Sequence, residues 1–158
     1  MATDARAREL TRGAARRVHS PARMRFDLPS PDFETQPFWD GCRDMKFLIR
    51  HCNACGEDHF YPRPFCPRCW SDDVTWQRAS GRGTLYTYSI VRQNDLPPFP
   101  ERVPYVAAIV ELDEGPRVMT NVVECDFDAL AIGMAVEVVF QPISDDITIP
   151  VFRPRMRA

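Results

Sequence analysis

Cys52-Asn53-Ala54-Cys55 and, ten residues further on, Cys66-Pro67-Arg68-Cys69 decide how this chain is read. Two Cys-x-x-Cys pairs at that separation can supply four thiolates to one metal ion. Each pair closes into a tight knuckle with both sulfurs on one side, and a short hairpin sets the knuckles face to face. Zinc held by four thiolates has no open position, so such a centre holds structure and does no chemistry. Iron in a rubredoxin-like centre also suits a Cys-Pro-x-Cys knuckle, and spacing alone does not separate the two metals. Two disulfides, or four unrelated buried thiols, fit the adjacent paired spacing poorly. His51 and His59 flank the ribbon and read as surface histidines, because the cysteines already complete a ligand set.

The 158 residues accommodate a small metal module plus a second unit of about 90 residues. A ribbon has little core and draws its stability from its metal; the remainder is long enough to bury a core of its own. No apolar run reaches the length of a membrane span, and the first 25 residues lack the apolar stretch of a signal peptide. Four cysteines at metal spacing beside two singletons, Cys42 and Cys125, point to a reducing, cytoplasmic setting.

The net charge of −2 hides an asymmetry. Residues 1–25 carry seven arginines against Asp4 and Glu9, which leaves 13 basic and 20 acidic residues over 26–158, a net of −7. Nucleic-acid domains neutralise phosphates with Lys and Arg and present a basic face, so an acidic body argues against a nucleic-acid partner. Residues 1–25 read as a disordered basic arm. Met24 stands where the ordered pattern begins, so this arm is either an upstream extension that is not translated or a contact for an acidic surface or a phosphate.

The segment 26–46 reads as a docking element. Thr35 is a plausible N-cap, Pro37 is tolerated in the first turn, and a short helix over 35–44 places Phe38, Trp39 and Cys42 on one side, with Phe33 just upstream. So much aromatic area on a helix too short to be stable alone must dock, either on the chain's own body or on a partner.

The ribbon occupies 47–78. Phe47-Leu48-Ile49 leads in as a strand, 60–65 reads as an edge strand and turn because of its prolines, and Val74-Thr75-Trp76 leads out. From residue 79 the pattern becomes all-β. Strands are expected over 83–91, 105–112, 118–123, 136–140 and 147–152, with a hairpin at Asp113-Glu114-Gly115 and a helical turn within 126–131. Five strands, the first opened by glycines, suit a small closed Greek-key barrel of the OB type. The fold class is therefore mainly β: an N-terminal helix, a rubredoxin-like four-cysteine ribbon and a five-stranded barrel. The linker 96–104, with four prolines around an exposed Phe99, reads as a wall of a binding site, a partner contact or merely a stiff connection.

This order of parts resembles a known family, the zinc-ribbon/OB-fold companions of thiolases, long called the domain of unknown function 35 family. The residues that carry the likeness are Thr35-Gln36-Pro37-Phe38-Trp39, the four cysteines, the run Gly81-Arg82-Gly83-Thr84-Leu85-Tyr86-Thr87-Tyr88, Pro104-Tyr105, and Pro150-Val151-Phe152-Arg153-Pro154. They span about residues 26–156. The resemblance implies a non-catalytic subunit of a hetero-oligomer with a thiolase-like enzyme, either a condensing thiolase or a retro-aldolase that shortens steroid side chains held as coenzyme A (CoA) thioesters. It also implies zinc in the ribbon, docking through Phe33, Phe38 and Trp39, and a barrel that helps enclose the acyl-CoA substrate of the complex. Arg82 and Arg92, near the two ends of the first barrel strand, are the candidate phosphate contacts. Tyr86 and Tyr88, two apart on one strand and so expected on one face, could stack on adenine or line an acyl tunnel, as could Phe99.

Two other classes compete. An OB barrel could bind single-stranded nucleic acid through its tyrosines, against the charge count, and an iron-loaded ribbon could carry electrons. Catalysis by the chain alone lacks the adjacent nucleophile, base and orienting group it would need.

Overall fold

The computed structural model describes residues 28–155; the basic arm expected over 1–25 lies outside them. Helix α1 spans Gln36–Arg43. Thr35 occupies the N-cap position but does not cap with its side chain, because its hydroxyl donates backwards to Asp32 Oδ1 at 2.7 Å. Pro37 sits in the first turn, where its missing N–H costs nothing. Phe38 and Cys42 turn inward and are 5% and 0% exposed. The Phe38 ring meets Phe60 at 5.6 Å and Phe47 at 6.1 Å edge-on, and Phe47 in turn meets Phe152 of the barrel at 6.1 Å. Each fully buried aromatic contributes roughly 2–3 kcal/mol, so a helix too short to persist alone is held by this chain's own body.

Three strands form the ribbon sheet in the order β2-β1-β3: β1 Leu48–Cys52, β2 Asp58–His59 and β3 Val74–Arg78. Arg50 lies opposite Trp76 in the register and sets its guanidinium 4.6 Å from the indole centroid. Two expectations are corrected here. The edge strand is Asp58–His59 rather than 60–65, since Pro62 and Pro64 have no N–H to give a ladder. His59 is not on the surface: it is 5% exposed, with neither ring nitrogen hydrogen-bonded within the described residues. Burial, reinforced by Arg50 and Arg63, holds its pKa below the ordinary histidine range.

The remaining strands are β4 Arg82–Val91, β5 Tyr105–Leu112, β6 Arg117–Val122, β7 Ala135–Pro142 and β8 Thr148–Pro154. They close in the order β4-β5-β6-β8-β7, the Greek-key barrel expected from the sequence. β5 alternates without a fault, sending Val106, Ala108, Val110 and Leu112 inward. Gly83 lets β4 and β5 approach, since a Cβ there would stand 2.4 Å from the Glu111 carbonyl oxygen. The β5–β6 hairpin turns at Gly115, whose φ of 104° favours glycine. The expected helical turn is a 3-10 turn over Phe127–Ala129 with Asp126 accepting from the Asp128 N–H.

One buried cluster runs from Phe38 and Cys42 through Phe47 and Ile49 to Leu85, Val110, Val136 and Phe152. Helix, ribbon and barrel thus share a single core. No helix of the described residues is long and apolar enough to cross a membrane.

Candidate functional site

The two knuckles repeat one another bond for bond. Gly56 N–H donates to Cys52 O at 2.8 Å and Trp70 N–H to Cys66 O at 3.0 Å; Cys52 N–H donates to Glu57 O and Cys66 N–H to Ser71 O at 2.9 and 2.8 Å. Both turns close on a left-handed residue, Gly56 at φ 73° and Trp70 at φ 64°. Glu57 and Arg68 form an ion pair from one knuckle to the other, and Asn53 Nδ2 ties the first knuckle to Asp73 Oδ1 at 2.8 Å.

This frame brings the four sulfurs within 4.8 Å of one another, with Cys52–Cys69 at 3.6 Å and Cys55–Cys66 at 3.7 Å. Thiolates about 2.3 Å from a common tetrahedral ion stand about 3.8 Å apart, so the donor set fits four-coordinate zinc. Cys52 and Cys66 are buried while Cys55 and Cys69 face outward. All four coordination positions belong to the chain, which makes the centre structural. His51 binds Asp58 Oδ1 through Nδ1 at 2.6 Å and lies outside the donor set.

The other two cysteines carry no activated thiol: burial pushes Cys42 up to about 12, and burial with the neighbouring Asp126 raises Cys125. A thiol held protonated is a poor nucleophile.

Two concavities lie along one side of the barrel. β6 and β8 run parallel, share the register pair Val122–Phe152, and are joined besides by Val123 N–H donating to Phe152 O at 2.8 Å. A cleft of about 570 Å³ sits there between the β4–β5 loop and the β7–β8 hairpin, lined by Phe99, Arg102, Tyr105, Asn121, Gln141 and Ile149 among others. A second cleft of about 340 Å³ opens between α1 and the barrel, lined by Trp39, Tyr61, Met119 and Pro150 among others. Asn121, Ile149 and Val151 line both, so the two clefts adjoin.

The chain is similar to known proteins over both halves. The family described as ChsH2, rubredoxin-like zinc ribbon domain, matches residues 39–75, and that described as ChsH2, C-terminal OB-fold domain, matches 76–141. A protein named DUF35 domain-containing scaffold protein, from Methanocaldococcus jannaschii, is 40% identical over 110 residues, covering 68% of this chain and 77% of its own. The chain belongs to the DUF35 family. Another relative, named probable enoyl-CoA hydratase alpha subunit, from Thermomonospora curvata, is 37% identical over 118 residues; the match covers 74% of this chain but only 36% of that protein's length. Among solved structures, one titled Ltp2-ChsH2(DUF35) aldolase superposes with a TM-score of 0.72 at 34% identity, over 80% of this chain and 98% of the other.

In this DUF35 chain the residues singled out from sequence are scattered. Arg82 and Arg92 stand at opposite ends of β4, roughly 30 Å apart at strand rise, so they cannot grip one phosphate group together. Tyr86 and Tyr88 do not share a face. A β-bulge at Tyr86 inserts one residue between the pairs Leu85–Val110 and Thr87–Ile109, and a bulge inverts the alternation beyond it. Tyr86 therefore points out, 45% exposed under the Arg117 guanidinium 3.6 Å from its ring centroid. Tyr88 packs on the core and donates to Leu130 O at 3.0 Å. Phe99 is half-buried rather than exposed, because a 3-10 turn over Phe99–Glu101 folds it towards Tyr105, 6.3 Å away; it alone of the five lines the larger cleft.

Of the aromatics expected to dock on a partner, Phe38 is committed to the core, Trp39 is half-buried in the second cleft and Phe33 is 87% exposed. Sequence reasoning gave no site role to Arg102, Tyr105 or Asn121, although Tyr105 was among the residues that carry the family likeness. The only local signal was the position of Arg102 and Tyr105 beside the proline-rich loop; Asn121 joins them through barrel closure.

Proposed function

We propose that this DUF35 protein is a non-catalytic accessory subunit of a hetero-oligomer with a thiolase-like enzyme that acts on acyl-CoA thioesters, either a thiolase or a retro-aldolase. Its part is to support the partner and help enclose the substrate. The observation that carries this reading is the superposition on nearly all of the chain titled Ltp2-ChsH2(DUF35) aldolase, at 34% identity. The closed thiolate centre and the protonated thiols of Cys42 and Cys125 support it, since the described residues then offer structure and a groove rather than a reacting group. Steroid side-chain aldolases, implied by the family resemblance, are the narrower form of the same proposal. Trp39 and Phe33 are the aromatic contacts left for the partner. A single-strand nucleic-acid surface needs several cations along its groove, and among the described residues these clefts are lined by one, Arg102.

Co-expression with a thiolase-like protein from the same genome tests the proposal. The two are expected to copurify, and thiolytic or retro-aldol turnover is expected to fall when this chain is omitted. Separate elution with unchanged turnover would overturn it.

A further inference from the structure

The second knuckle carries a side chain that its own backbone disfavours. Trp70 holds, at φ 64°, the left-handed position that the first knuckle gives to Gly56, and it is 75% exposed. A bulky residue kept both strained and in solvent, where glycine would serve the turn better, points to a task for the ring rather than for the fold. Phe65 stacks on the indole 5.4 Å away and 11° from parallel, which fixes its orientation. Two residues on, the exposed Asp72 carboxylate has no ion-pair or hydrogen-bond partner among the described residues. Asp73, by contrast, is engaged by Asn53.

Elsewhere the same fold shows what a ring beside an oxygen takes. Arg117 lays its guanidinium 3.6 Å from the Tyr86 ring centroid while its Nε donates to Glu111 Oε2 at 2.8 Å. Arg50 lies 4.6 Å from the Trp76 centroid while its Nε donates to the Arg63 carbonyl at 3.3 Å. In each, a flat cation meets a ring with its face and an oxygen with its edge, which the compact lysine ammonium does not do at once. Trp70 and Asp72 offer the same ring and oxygen. The described cations that lie over rings sit on Trp76, Phe99 and Tyr86, not on Trp70, and the neighbouring Arg68 is paired with Glu57.

We infer that Trp70 and Asp72 form a guanidinium site on the metal-bearing knuckle, and that its occupant is an arginine from residues 1–25 of the same chain. Composition selects the occupant. That segment has seven arginines, no lysine and a net charge of +5, against −7 for residues 26–158, so the two attract. Twenty-five residues can span about 80 Å, more than the roughly 36 Å across a body of this size. Seven arginines on one tether also raise the local guanidinium concentration to the order of millimolar, which suits a single exposed contact. Nothing in this contact depends on the accessory-subunit reading.

The indole N–H resonances of Trp39, Trp70 and Trp76 report the contact in the full chain purified with its metal, with Trp70→Phe assigning the signal. The comparison is the same protein begun at Met24, which keeps one arginine of the seven, Arg25. The Trp70 resonance is expected to differ between the two, while those of Trp39 and Trp76 stay in place. Salt at about 0.5 M should move the full-chain signal at least halfway to the shortened one, since exposed charges are screened. Asp72→Asn should remove at least half of the shift; Asp72 is exposed, so the fold is not at stake. Changing all seven arginines to lysine keeps the charge and should still remove most of it. Tenfold dilution should leave it unchanged, as a contact within one chain requires. An identical Trp70 signal in the full and shortened chains would overturn the inference and leave the arginines to a phosphate or another protein. A lysine segment that shifts the signal as far as the arginine one would overturn the guanidinium site. A shift that fades on dilution would overturn the assignment to the same chain and place the contact between copies.

Discussion

The ribbon and the barrel of this chain are stabilised by different physics. The ribbon sheet is small: β2 has two residues, and β3 has no fully buried side chain. What fixes its turns is four thiolates at metal distance and a set of knuckle hydrogen bonds. The barrel needs no ion. It closes on itself, leaves no long free edge, and fills its interior with Leu85, Val106, Val110, Val118, Val136 and Phe152. The contrast teaches where each can fail, and the aromatic run Phe38–Phe47–Phe152 sets how far a failure travels.

The largest effect is expected from the metal. Binding of zinc by small four-ligand sites is worth about 10–16 kcal/mol and is inseparable from folding. Cys66→Ser, or a strong chelator, should therefore unfold the ribbon and abolish partner binding together, read by metal content, circular dichroism and copurification. A variant that stays folded and assembled would show that the ribbon stands without its metal and would erase the contrast.

Next comes the shared core. Phe152→Ala should cost about 3–5 kcal/mol, read as a shift in the urea midpoint, because Phe152 is fully buried. If the barrel and ribbon are one cooperative unit, the metal should be released in the same transition. Two separated transitions would show that the Phe47–Phe152 contact does not couple them.

A smaller effect concerns pH. Folding holds the His59 pKa below its unfolded value, chiefly by burial, so the folded protein binds fewer protons than the unfolded chain below about pH 6.5. This part of the stability is complete above that value and is lost as the pH falls towards the folded pKa. Urea midpoints at pH 7.5 and 5.5 should converge in His59→Phe relative to the parent.

The smallest difference lies between the knuckles themselves. Gly56 and Trp70 hold equivalent left-handed positions, where a side chain costs roughly 1–2 kcal/mol. Gly56→Ala should therefore destabilise by about 1 kcal/mol. Trp70→Gly should gain up to about 1 kcal/mol, less whatever its stack on Phe65 contributes; the two rings lie 5.4 Å apart and 11° from parallel. Equal responses at both positions would mean that the second knuckle is not strained.

Much of this architecture was legible in the chain. Cysteine spacing named the ligands, because four sulfurs on two local turns need no distant partner. Alternation in Tyr105–Leu112 was legible in the same way, with a period of two and no interruption. Local reading failed where one residue breaks a period or where a distant element supplies the cover. The bulge at Tyr86 inverted the second half of β4, so Tyr86 and Tyr88 parted. His59 looked exposed in sequence, yet the folded ribbon buries it. Phe38 looked free to dock on a partner, yet the short distance to Phe47 and Phe60 makes the chain its own partner.

By itself, then, the sequence determined the order of helix, ribbon and five strands, and the metal ligands, because each depends on interactions within a few residues. Only the tertiary structure decided where a ligand could sit. The clefts lie beside β6 and β8, which are far apart in the chain and meet only through barrel closure. Arg102 joins the lining of the larger cleft from the loop between β4 and β5.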